Sequence, residues 1–288
     1  MTVSVLMLAG SVLFYGLAFL FHLLSFWDVR EEGNEEAAWL LRVGFLFGTF
    51  YFVLEAVKSR AFLPVISHDQ AMAFFGWSIA FVYLVLLARI QSESFGLILN
   101  PVLFFLSGFA VLTRIFCKDI HANLKPELMN SYFTLHILCA FFAYASFSIS
   151  FAAGVLYLIQ HRQLKAKQIG RFYHKLPSLE SLEHLIHQPL VWGTPLLFLA
   201  VLLGFFWARA VYGSWWALDP KTLMTLVIGG VYAGLLFFRR FGIWNGKKIA
   251  AASVLIFVLV ITSFIGLRFI HGSHNYLKEP AASAKGIK

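Results

Sequence analysis

Apolar residues run along this chain in eight long blocks separated by short polar connections. The blocks cover approximately 3–26, 37–57, 70–88, 95–113, 131–159, 189–211, 221–238 and 249–271. Each approaches or exceeds the ~20 mostly apolar residues a helix needs to cross a bilayer. The pattern therefore predicts an all-α, polytopic integral membrane bundle of about eight transmembrane helices, forming one membrane domain over 1–288. The fourth block contains Pro101, which membrane helices accommodate when neighbours re-satisfy the backbone. The fifth is long enough to tilt or to protrude. Asp219-Pro220 reads as the start of the seventh helix, with Asp as N-cap and Pro at the first helical position, where a missing N–H costs nothing. Between the fifth and sixth blocks, L-P-S-L-E-S-L-E-H-L-I-H places Leu179, Leu182, Leu185 and Ile186 on one helical face. That predicts an amphipathic helix lying on the membrane surface.

Composition sharpens this picture. The chain is 60% hydrophobic and 13% charged, against about 25% charged in a soluble domain, so there is no room for a separate soluble domain. The formal charge of +9 does not point to nucleic acid, because the basic residues sit in the short connections, where they set membrane orientation. Odd-numbered connections carry Arg30, Arg89, Arg162, Lys165, Lys167, Arg171, Lys175, Arg239, Arg240, Lys247 and Lys248. Even-numbered ones carry fewer: Lys58, Arg60, Arg114, Lys118, Lys125 and Lys221. The positive-inside rule then puts the odd connections in the cytoplasm and both termini on the outer, periplasmic side. The start of the chain, without a basic region or an evident cleavage site, reads as a retained helix. Residues 277–288 read as a flexible polar tail. Cys117 and Cys139 form no C-x-x-C pair, which argues against a thiol redox centre.

On this topology the outer side collects three features. One is the junction W-A-R-A-V-Y-G-S-W-W-A-L-D-P-K, Trp207 to Lys221. The others are His136 near the start of the fifth helix, and His274 with His271 just past the eighth. Two trans imidazoles beside a flat aromatic shelf would suit a haem iron. Arg114, Arg209, Lys221 and Arg268 fall near the same side and could meet two propionates. Each feature also has a plainer reading: Trp and Tyr as an interfacial belt, a histidine as a hydrogen-bonded helix-end residue, and terminal arginines snorkelling to headgroups. No arrangement of side chains forms a catalytic nucleophile or a carboxylate pair, so no catalytic residue is assigned.

The junction resembles the tryptophan-rich WWD signature of CcsA/CcmC-type cytochrome c assembly proteins. The resemblance continues through F-F-R-R-F-G-I-W-N-G-K-K, through the histidine-led helix L-H-I-L-C-A-F-F-A-Y-A-S-F, and to the terminal G-S-H-N-Y. It covers roughly 131–276; the first four helices, 1–130, match in pattern only. It implies haem b held non-covalently in a bacterial cytoplasmic (inner) membrane protein. His136 and His274 would be the axial ligands to the haem iron. Trp207, Tyr212, Gly213, Trp215, Trp216 and Asp219 would form the platform. The implied partners are apocytochrome c, as the client to which haem is attached, and a separate CcsB/ResB-like membrane protein, as part of a cytochrome c synthase system.

Three positions depart from the pattern. Leu218 stands where the family has the last tryptophan, Thr222 where it has Glu, and Phe237 where synthase-type members carry a histidine in the seventh helix that belongs to a cytoplasmic-side haem site. The chain resembles a short eight-helix branch with HemX-like members, which implies an alternative: a membrane regulator of tetrapyrrole synthesis acting on a cytoplasmic haem-biosynthesis enzyme. A transporter or channel is a further alternative. It would want ionisable residues at mid-membrane or paired broken helices, whereas Arg42, Glu55, Arg209 and Arg268 fall near predicted helix ends.

Overall fold

A computed structural model describes residues 2–27, 33–88, 94–116, 130–167, 173, 175–212 and 220–266. Eight α-helices account for nearly all of them: α1 Val3–Trp27, α2 Gly33–Ser59, α3 His68–Leu87, α4 Ser94–Phe116, α5 Ser131–Lys165, α6 Leu179–Tyr212, α7 Pro220–Arg240 and α8 Gly246–Gly266. All eight are long and apolar enough to cross a membrane. Their lipid-facing surfaces carry side chains such as Leu13, Phe50, Phe105, Leu202, Val227 and Leu255, each exposed. This is an all-α integral membrane protein.

The helix ends are written locally. At α3, Ser67 and Gln70 form a capping box: the Gln70 amide N–H donates to Ser67 Oγ at 3.4 Å, and Gln70 Oε1 accepts from the Ser67 N–H at 3.1 Å. That satisfies two donors otherwise orphaned at a helix start. Asn130 caps α5 by accepting from the Phe133 N–H at 3.0 Å. Between α7 and α8, Gly242 takes φ +66°, a conformation suited to glycine, and the Ile243 N–H reaches back to the Phe238 carbonyl at 2.9 Å. Asn245 then opens α8 by accepting from the Lys248 N–H at 3.1 Å. These are ordinary stop and start devices. Pro220 is the first residue of α7, as the Asp-Pro reading predicts. Pro101 lies inside an uninterrupted α4.

α1–α4 pack among themselves, as do α5–α8, and α3 and α4 meet α5 between the two groups. The seam is aromatic. Phe74 meets Phe141 edge-on at 5.3 Å, and Phe141 meets Phe264 of α8 at 5.7 Å. Trp77 donates its indole N–H to Thr49 Oγ1 at 2.9 Å, tying α3 to α2. α5 and α8 come close where Gly154 lies against the Ala250 carbonyl, the small-residue contact that membrane helices favour.

The expectation of a surface helix before the sixth span is overturned. Leu179 begins a continuous helix, α6, that runs unbroken to Tyr212 despite Pro189 and Pro195. The apolar face of its first turns is not laid on lipid. Leu182, Leu185, Ile186 and Leu190 are buried, and Ser150 of α5 donates to the Ile186 carbonyl at 2.6 Å. With 35 and 34 residues, α5 and α6 are each about 50 Å long, well beyond a hydrocarbon core of about 30 Å. The end of α5 and the start of α6 lie at one end of the bundle, here called the basic end. There Glu183 accepts from Tyr157 Oη at 3.2 Å and pairs with Arg239 at 3.6 Å, and Gly246 leaves room for its carboxylate at the start of α8. In the connection before α6, Lys175 Nζ donates to the Ser25 carbonyl in the last turn of α1 at 2.7 Å, and the Lys175 carbonyl accepts from Ser94 Oγ of α4 at 2.8 Å. The connection between α5 and α6 is thereby fastened to the first helix group.

Candidate functional site

The opposite end of the bundle gathers the start of α5, the end of α6, the start of α7 and the end of α8. Its best-defined chemical feature is His136. α5 and α6 pack against each other along their length, and on α6 Ala200, Gly204 and Trp207 follow one another at spacings of four and three, so they share a face. His136 lies on that face. Its Nδ1 is 2.6 Å from the Ala200 carbonyl oxygen. A carbonyl can only accept, so Nδ1 carries the proton, and in the neutral ring Nε2 is the basic nitrogen. Gly204 makes the approach feasible: a Cβ there would sit 3.0 Å from Nδ1 and 3.1 Å from Cε1 of His136.

One turn further out, Phe133 meets Trp207 with ring centroids 5.5 Å apart, and Tyr132 stacks on Phe206 at 6.0 Å. Trp207 is buried, 6% exposed. It is therefore a packed residue against α5, which an interfacial belt would not require. His136 and Trp207, predicted to belong together, are brought to one helix interface, with Phe133 as the ring that meets Trp207.

The other predicted site residues divide. Tyr212 is the last residue of α6, and Lys221 lies in the first turn of α7. Arg209 is exposed in the last turn of α6. Gly213, Trp215, Trp216, Asp219, Arg268 and His274 lie outside the described residues. Arg114 is engaged elsewhere: Nη1 pairs with Asp69 Oδ2 and Nη2 with Glu55 Oε2, both at 3.0 Å. A propionate reaching Arg114 would compete with two carboxylates that are already in place. The same cluster includes Lys58, 3.1 Å from Glu55 and 2.7 Å from Ser4 Oγ, and Gln70, 3.2 Å from Glu55. It binds α1, α2, α3 and α4 together at this end.

His68 also lies at this end of the bundle. It is the first residue of α3, and its ring stacks on Phe264 near the end of α8, with centroids 5.9 Å apart. His184 and His187 lie inside α6, and His161 lies inside α5, stacked on Tyr157 at 5.9 Å. Phe237 of α7 is 53% exposed and packs against Phe241. Among the described residues, no group of three or more His, Cys, Asp or Glu side chains is placed to hold a metal ion. A single imidazole, with a second from outside these residues, would suffice for a haem iron.

The sequence profile of the Cytochrome C assembly protein family matches residues 65–274, a span that holds α3 to α8, His136 and His274. Protein HemX of Bacillus subtilis (strain 168) is 26% identical over 265 residues, covering 92% of this chain and 95% of the relative. Protein HemX of Brevibacillus brevis is 27% identical over 267 residues, covering 89% and 93%. The cytochrome c biogenesis protein CcsA of Prochlorococcus marinus (strain NATL2A) is 27% identical over 290 residues, covering 90% and 92%.

Proposed function

Since the chain belongs to the cytochrome C assembly protein family, we propose that it binds haem b non-covalently and presents it for attachment to apocytochrome c. The observation that carries this reading is the setting of His136: a half-buried imidazole whose Nδ1 proton is fixed on the Ala200 carbonyl, leaving Nε2 the basic nitrogen, beside the α6 end that leads into the tryptophan junction. That is the protonation state an iron ligand needs. His274 is the second axial ligand in this reading. Trp207, Tyr212, Gly213, Trp215, Trp216 and Asp219 form the platform, and Arg209, Lys221 and Arg268 meet the propionates. Haem, when bound, supplies the vinyl groups to which client thiols add; the chain's residues hold and orient it. The membrane is the bacterial cytoplasmic membrane, with the His136 end facing outward, and a CcsB/ResB-like protein completes the assembly.

The purified protein, supplied with haem, should show a low-spin bis-histidine spectrum. His136→Ala and His274→Ala should each disturb it, and His187→Ala should not. A preparation that stays colourless in the presence of haem overturns the proposal.

The exposed Phe237 and the near full-length likeness to two HemX proteins favour a second reading, a regulator of tetrapyrrole synthesis working through the basic end. Deleting the gene would then change the level of an early pathway enzyme and leave covalent c-type haem unchanged. Loss of c-type cytochromes would decide for attachment.

A further inference from the structure

His136 could in principle carry its proton on either ring nitrogen. In water a neutral histidine prefers the tautomer with the proton on Nε2, which would turn its ligating nitrogen into a donor. The fold removes that choice. Ala200 sits in the middle of α6, and in an α-helix its carbonyl already accepts from the N–H four residues on, which belongs to Gly204. A second donor can approach such a carbonyl only from the outer side of the helix, across the position of that same residue's side chain. Any Cβ at position 204 would stand 3.0 Å from Nδ1 and 3.1 Å from Cε1 of His136. Residue 204 is glycine, so the ring closes to 2.6 Å from the carbonyl. Trp207, one turn further along the same face, packs on Phe133 and holds the two helices in this register.

We propose that the α6 backbone sets the ligand state of His136: the Ala200 carbonyl fixes the Nδ1–H tautomer, and Gly204 is the positioning residue that admits the ring. His136 is thereby prepared as a neutral Nε2 donor before any ligand arrives. The carbonyl is uncharged, so the ring gains orientation and modest basicity without the imidazolate character that a carboxylate partner would impart. The inference deepens the haem reading, on which its functional meaning rests, but the tautomer itself is a property of the chain alone.

The test begins without haem. In the full-length protein carrying 15N-labelled histidine, kept in detergent at mildly alkaline pH, the His136 signal is identified by its loss in His136→Ala. The expected result is a protonated Nδ1 and an unprotonated Nε2. A protonated Nε2 in the wild-type protein overturns the proposal. Gly204→Ala should shift the ring toward the Nε2–H tautomer, and the bulkier Gly204→Val should do so further. An unchanged tautomer in both variants, with helix content and melting intact, overturns the role of Gly204. In a second arm, haemin is added. Gly204→Ala, with helix content and melting intact, should move the iron from low-spin toward high-spin; an unchanged low-spin spectrum in that variant overturns the effect of position 204 on the ligand. If wild-type protein shows the Nδ1–H tautomer yet takes up no haemin, the haem reading fails while the tautomer assignment stands.

Discussion

Arg114 of α4 and Glu55 of α2 meet at 3.0 Å with side chains only 12% and 7% exposed, at the bundle end that also carries His136. Their contact turns two residues that sequence reading left as separate helix-end charges into a shared lock. Glu55 accepts from Arg114, Lys58 and Gln70, and Arg114 reaches Asp69 on its other arm. Two acids meet two bases in this cluster, with Lys58 49% exposed and the other three side chains nearly buried.

Removing Arg114 leaves two carboxylates short of their main cation. Breaking a buried pair from one side costs about 3–5 kcal/mol, so Arg114→Ala should lower thermal stability markedly in detergent. Glu55→Gln keeps the shape and one hydrogen-bonding oxygen and should lose less. Melting followed by tryptophan fluorescence decides it; a wild-type melting temperature for Arg114→Ala would show that the lock contributes nothing.

A close approach of α1 to α4 gives a second prediction. The His22 ring occupies the space a Cβ would take at Gly96. Gly96→Ala gains up to about 1 kcal/mol in helix propensity but overpacks the contact, at a cost of about 1–3 kcal/mol. The single variant should be destabilised on balance, and adding His22→Ala should recover part of the loss. A double variant no more stable than the sum of the two singles would show that the two positions do not interact.

Asn100 is fully buried on α4, and neither of its amide atoms has a hydrogen-bond partner among the described residues. An unmet buried polar group costs about 1–3 kcal/mol. Asn100→Leu, close in size, should therefore melt at or above the wild-type temperature. A clear drop would reveal a hydrogen-bonded role for the amide.

Sidedness can be read chemically. With Cys117 and Cys139 replaced, a single cysteine at Lys165 or Lys247 should react with a membrane-impermeant maleimide only after cells are opened. One at Asn130 or Phe62 should react in intact cells. The reverse pattern would invert the orientation argued from the basic connections.

Much of the site was legible because it used residue types that are rare at helix ends. His136, Trp207 and the Asp-Pro start stood out from an apolar background, and α7 does begin at Pro220. Gly204 and Ala200 carried no such signal. A glycine in a membrane helix is common, and nothing in V-L-L-G-F-F-W says that this one faces a histidine. Arg114 illustrates the converse. Its charge was visible, but its partners are fixed by α2 and α3, far away in sequence.

The sequence alone determined eight spans, their approximate limits, the start of α7 at Pro220 and the association of His136 with Trp207. Hydropathy suffices for these because a bilayer accepts any sufficiently apolar helix, and caps answer to local backbone geometry. Only the tertiary structure decided which helical face meets which neighbour. Lipid satisfies an apolar face as readily as another helix does, so periodicity could not distinguish a surface helix from the first turns of α6. Burial of Leu182 and Ile186 against α5 settled that point. By the same reasoning, the proton position on His136 depends on a carbonyl brought within 2.6 Å from another helix, and no pattern along a single segment encodes such a meeting.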